Sequence, residues 1–256
     1  MKRKKIILAA SLLFVTFLCL YTLHSIKTVM PHDPTEGADQ LVLVVSKQES
    51  ANKAVLQTFI RKEDEWQFSF ACPVVIGKNG MAWGRGRHSE NSRLSDEPVK
   101  KEGDGRSPKG AFDILRAYGY QDYIRVKFPY EVTTPDLICI DDSQSEYYNM
   151  VLSDEQLENG NDVSHEKMLR EDDLYKYAIL VGHNTESPVK DAGSCIFLHV
   201  WGGEESFTAG CTAMSEANII KVLSWLDPDK KPCLVQLTRK SYLRLKEDWG
   251  LPDITI

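Results

Sequence analysis

The sequence holds no Cys-x-x-Cys pair and no regular His/Cys ligand spacing, which argues against a structural zinc site. It has no heptads, internal repeats or long amphipathic helical stretch, so coiled coils and solenoids are set aside. An excess of positive charge is missing too. Residues 1–30 contain Lys2, Arg3, Lys4, Lys5 and Lys27 and no acid, so the formal charge of −6 for all 256 residues becomes −11 for residues 31–256. A nucleic-acid partner needs a basic footprint, and this chain does not offer one.

What is present begins with a basic cluster followed by an uncharged, mostly apolar run over residues 6–23. Eighteen residues at 1.5 Å each reach about 27 Å, enough to cross a bilayer core. No Ala-x-Ala-like cleavage site follows, so residues 1–30 are expected to be a signal-anchor transmembrane helix with the basic end cytoplasmic. The rest of the chain would then be extracytoplasmic, or secreted if the segment is cleaved. Residues 31–40, PHDPTEGADQ, read as a stalk.

Short β-branched runs follow at 41–45 and 54–60, with a third at 66–76 that Pro73 is expected to bend or end. Together they predict an antiparallel meander. Residues 77–110 are dense in glycine and charge and read as a functional or disordered loop, its arginines and His88 as surface residues. Further strands are expected at 135–140, 177–182 and 194–200. Ser215 can cap a helix whose Ile219, Val222, Leu223 and Leu226 share one face, and residues 233–237 make a last strand. The fold class is mainly β (α+β), with one domain over 41–240 and a tail at 241–256 of uncertain structure.

Residues 194–214, SCIFLHVWGGEESFTAGCTAM, carry the chemistry. In a strand, His199 shares a face with Phe197 and Cys195, while Ile196, Leu198 and Val200 take the other. Cys195 is about 13 Å along that strand from His199 and a poor partner for it. A loop through Gly202 and Gly203 can instead bring Cys211 beside the imidazole. An ordinary thiol is mostly protonated at neutral pH, so a cysteine nucleophile needs such a base. Backbone amides of Gly210, Cys211 and Thr212 can face a developing oxyanion. The plain alternative is a strand histidine and a small buried cysteine.

Asp141 and Asp142, followed by Tyr148, can recognise an amine or simply cap a turn. His183 ends a strand and is expected to form a pocket wall, with Ser206 and Thr208 as further pocket candidates. Outside Cys19, five cysteines remain: Cys72, Cys139, Cys195, Cys211 and Cys233. Either one thiol at least stays free while others pair, or none pair.

The pattern IFLHV, a short loop, then TAGC and a helix resembles the L,D-transpeptidase catalytic domain (YkuD) family. NGMAWGRG, GDGRSPKGAFDI, CIDDSQSEYYN, SHEKMLREDDLY and ILVGHNT extend the resemblance, in order, over about residues 70–238. It implies a β-sandwich catalytic domain with a few helices, acting on peptidoglycan stem peptides through a Cys211 acyl-enzyme, with His199 as base and without metal or organic cofactor. Ala209 and Thr212 depart from the SHGC pattern and its following arginine or asparagine. The acceptor is therefore left open between an amine and water, the latter giving a carboxypeptidase or a hydrolase of wall-protein cross-links; a silent wall-binding domain is the third reading.

Overall fold

The structure, a computed structural model, describes residues 33–157 and 163–254. The expected anchor at 1–30 lies outside them; among the described residues no helix is long and apolar enough to cross a membrane. The chain opens with β1 (Gln40–Ser46), β2 (Lys53–Lys62) and β3 (Glu65–Val75), an antiparallel meander as the alternation suggests. Pro73 does not end β3. It pairs opposite Val55, and the far edge of β3 meets its other neighbour at Val75, so a missing N–H costs no ladder bond. The irregularity falls elsewhere, as a bulge that leaves Ser69 of β3 unpaired opposite the Thr58–Phe59 step of β2.

Residues 77–110 are ordered, with β4 (Met81–Trp83) and one 3₁₀ turn. His88 is not a surface residue: its ring packs on Trp83, Phe112 and Trp249, and its Nδ1 accepts from the Ala111 N–H at 3.1 Å. After these come β5 (Ser107–Gly119), β6 (Tyr130–Val132), β7 (Leu137–Ile140), β8 (Val151–Ser153), β9 (His165–Lys167), β10 (Tyr177–Val181), β11 (Phe197–Val200) and β12 (Thr212–Met214). Helix α1 (Glu216–Trp225), β13 (Cys233–Thr238) and helix α2 (Arg239–Leu245) complete the chain.

The main sheet runs β10-β11-β12-β3-β2-β1-β13-β5 and closes on itself because β10 also pairs with β5. It is thus a barrel-like sheet rather than the expected sandwich. β13, the last strand as expected, lies between β1, to which it is parallel, and β5. That position explains why LVLVV and CLVQL are nearly unbroken apolar runs, since strands covered on both faces lose the polar alternation. Val42, Val44 and Leu234 face a core shared with α1, while Leu41, Leu43 and Val235 face one shared with α2 and Trp249.

Helix α1 begins where expected, with Ser215 accepting from the Asn218 N–H, and buries Ile219, Val222 and Leu223. The stalk and tail assignments are overturned. Thr35 is fully buried with its hydroxyl donating to the Trp249 carbonyl, and Trp249 is 2% exposed, so residues 33–40 and 241–254 belong to the domain. A small sheet, β8-β7-β9, sits apart from the main one. With residues 168–176 it covers the outer face of β10 and β11 around Phe197, Cys195 and Cys211.

Candidate active site

Strands β11 and β12 are parallel neighbours, with Leu198 opposite Thr212 and His199 opposite Ala213. Cys211 therefore stands one step before β12, opposite Phe197. At strand spacings of about 4.8 Å sideways and 3.3 Å per residue along, its Cα lies roughly 8 Å from that of His199. Both side chains belong to the face of Phe197 and Cys195, which pack with Cys211, while Ile196, Leu198 and Met214 face the opposite core.

The main chain at Cys211 is pinned. Its carbonyl accepts hydrogen bonds from the hydroxyls of Thr208, at 2.6 Å, and Ser107, at 2.9 Å. Thr208 is bonded in turn through its own amide and carbonyl to Ile76 and Lys78. Gly210 is glycine for packing reasons: a Cβ there would stand 3.1 Å from the Arg106 carbonyl oxygen and 3.3 Å from Ile196 Cδ1. Its N–H donates to the Thr208 hydroxyl at 3.2 Å, so in this state it is already engaged. The Thr212 hydroxyl points the other way, donating to Gln236 Oε1 at 2.5 Å in the core. Thr212 contributes main chain to the site, not its side chain.

Cys211 is a free thiol, 7% exposed. Its Sγ accepts from the Phe197 N–H at 3.3 Å and donates to the Cys195 carbonyl at 3.5 Å. Burial, and after it the Glu166 carboxylate, push this thiol up to about 12 against the pull of the Phe197 amide and the Tyr175 hydroxyl. His199 Nδ1 lies 2.7 Å from the Val200 carbonyl, an acceptor that puts the proton on Nδ1 and leaves Nε2 with a lone pair. Burial pulls the imidazole down to about 4, the Val200 carbonyl opposing this. The pair is therefore neutral at pH 7, and no hydrogen bond joins imidazole to thiol. The open groove with an ionised sulfur that a cysteine nucleophile calls for is not this state.

Tyr175 is what covers it. Its ring stands 5.1 Å from that of His199 and 5.3 Å from that of Phe197, its hydroxyl donates to Glu166 Oε2 at 2.5 Å, and Arg170 lies over its outer face at 5.1 Å. Burial raises Glu166 above the usual carboxylate range, the Asp141 charge adding to this while the Tyr175 hydroxyl opposes it. Neither Tyr175 nor Glu166 stands out in the sequence. Both sit in a polar, acidic stretch, and only the Leu-Tyr pair that ends it before β10 signals a buried contact.

The remaining candidates separate. Asp141 faces Glu166 closely enough to perturb it, and its Oδ1 is buried without a hydrogen-bond partner. Asp142 caps a turn through the Gln144 N–H. Tyr148 is 3% exposed and is a brace, donating to Glu102 Oε2 at 2.5 Å and accepting from Gly193 N–H. His183 is not a pocket wall: it is 1% exposed, Nδ1 accepts from the Arg85 N–H and Nε2 is bound to the Ala192 carbonyl. Its burial holds it down to about 3. The Ser206 hydroxyl is spent within its own turn on the Gly203 carbonyl. Among the described residues no group of His, Cys, Asp or Glu is placed to hold a metal ion. Among the described residues one cysteine pair is bonded, Cys139 with Cys195, while Cys72, Cys211 and Cys233 are free and buried.

The closed β-sheet thus sets a free cysteine and a histidine on one face of adjacent parallel strands. Residues 42–235 match the model of the L,D-transpeptidase catalytic domain, YkuD, and the chain belongs to that family. Two solved structures are similar at low identity. The helical cell shape determining protein Pgp2 from Campylobacter jejuni is 13% identical with a TM-score of 0.39, over 78% of this chain and 48% of that one. Bd1075 from Bdellovibrio bacteriovorus is 12% identical with a TM-score of 0.39, over 83% and 55% respectively. The chain thus spans about half the length of each. No curated protein matches.

Proposed function

We propose that the protein is a peptidoglycan L,D-transpeptidase in which Cys211 attacks a stem-peptide carbonyl and His199 carries the proton. The observation that carries this reading is the β11–β12 pairing, which puts both side chains on one face with the imidazole tautomer set by Val200. In the reaction, His199 Nε2 takes the thiol proton as Sγ bonds to the carbonyl carbon. The oxyanion is met by main-chain amides around Gly210 and Cys211, and the proton then passes to the leaving amine as the C–N bond breaks. A second stem's amine takes the acyl group from sulfur, regenerating the thiol.

The covered state holds the thiol proton too tightly for this transfer, so Tyr175 must move off the sulfur and Thr208 must release the Gly210 amide. The Cys139–Cys195 bond supports an extracytoplasmic location, because disulfides persist in oxidising compartments. In this reading residues 1–30 anchor the chain to the membrane. Ala209 is exposed beside the cysteine, where an acceptor would arrive, and its lack of a polar group favours water as the second reading for that step.

Incubation with defined tetrapeptide muropeptides, followed by mass analysis, tests the proposal. Cross-linked dimers are expected; tripeptides alone would mean hydrolysis. No product dependent on Cys211 would leave a wall-binding domain.

A further inference from the structure

The disulfide Cys139–Cys195 joins β7, in the small sheet, to the residue two places ahead of β11. Cys195 is held in several ways at once. Its sulfur is bonded to Cys139 and its N–H donates to Asn149 Oδ1 at 2.8 Å. Its φ of 53° lies in the left-handed region, which a residue with a Cβ adopts when its surroundings impose it. The consequence is felt at Cys211. The Cys195 carbonyl is the acceptor for the thiol proton, and the Phe197 N–H, two residues on, donates to the same sulfur. The group that holds the neutral thiol and the group that favours the thiolate are both on the short stretch this bond anchors.

We propose that Cys139 and Cys195 are positioning residues for the nucleophile: their disulfide fixes the main chain that brackets the Cys211 sulfur, so the redox state of the pair sets how readily the thiol is acylated. The inference rests on Cys211 being the nucleophile. A staple for the fold alone is a poorer account, because the domain already buries three large apolar clusters and belongs to a size class that stands without cross-links. The bond also ties the small sheet, with Glu166 on β9, to the strand that carries His199. A dithiol reductant would deliver two electrons and two protons, leaving Cys139 and Cys195 as thiols and itself as a disulfide.

The test uses the full chain in four forms: oxidised, reduced with dithiothreitol and desalted, reoxidised, and the Cys139→Ala/Cys195→Ala double variant. Iodoacetamide labelling of Cys211 is followed against pH by peptide mapping, and carbapenem acylation of Cys211 is followed by intact mass, both well below the melting temperature. Loss of the bond is expected to lower the pH midpoint of labelling, since water reaches the sulfur. It should also slow acylation about tenfold or more, since the sulfur is no longer aimed. Reoxidation should restore both, and the double variant should ignore the reductant. An unchanged midpoint and acylation rate, whatever happens to the melting temperature, would reduce the bond to a staple and overturn the inference. Absence of any Cys211 acylation by the carbapenem in all four forms, with the protein folded, would instead remove the nucleophile assignment itself.

Discussion

Burial acts on Cys211 and His199 in opposite directions, lifting the thiol and lowering the imidazole, so each is held in its uncharged form. The cost appears as a pH dependence of stability. His199, near 4 in the folded protein, titrates near 6.5 when unfolded, so between these values the unfolded chain binds more protons and stability falls as pH falls. His183, near 3, adds to the same window. Each imidazole contributes up to about 1.4 kcal/mol per pH unit there. Urea midpoints between pH 7 and pH 5 should drop in the native chain and drop less in His183→Gln. An equal slope in both would mean that the ring is not held neutral. The two candidate side chains were legible from strand alternation and the TAGC loop, because period-two patterning assigns faces without tertiary information. Tyr175 and Glu166 were not, since their burial comes from a strap folding over β11, and no local pattern in the stretch containing HEKMLREDDLY encodes that.

Individual elements explain which errors the sequence allowed. β13 reads correctly as the last strand, but its place between β1 and β5 comes from two-sided burial. Pro73 reads as a strand breaker, yet its missing N–H falls where no partner asks for it. The helix after the cysteine was fully legible, since a cap and one apolar face define it locally. Ser215→Ala should cost about 1 kcal/mol in chemical unfolding, and Leu223→Ala about 2–5 kcal/mol. Neither should alter Cys211 labelling in the folded protein, because α1 packs on the face opposite the thiol. Thr208→Val is different: it removes the hydroxyl that, with that of Ser107, pins the Cys211 carbonyl. It should lower turnover about tenfold or more with a modest loss of stability. Turnover equal to that of the native chain would show that this pin is not part of the proposed site.

At the scale of the whole molecule, one closed sheet supports two coverings with different duties. α2 and the 246–254 segment seal the face of β1 and β13, with Trp249 and Tyr242 inside. Removing residues 239–256 should therefore abolish cooperative unfolding rather than trim a loose tail, as calorimetry would reveal. The small sheet and the 168–176 strap instead cover the thiol of Cys211, the nucleophile of the proposed function. The account stands on Cys211 becoming acylated. Peptide mapping of the chain after brief incubation with a tetrapeptide stem donor should find the stem, minus its terminal residue, in thioester linkage at Cys211, with none in Cys211→Ala and far less in His199→Ala. A stem attached at another residue, or Cys211 left unmodified while product accumulates, would contradict it.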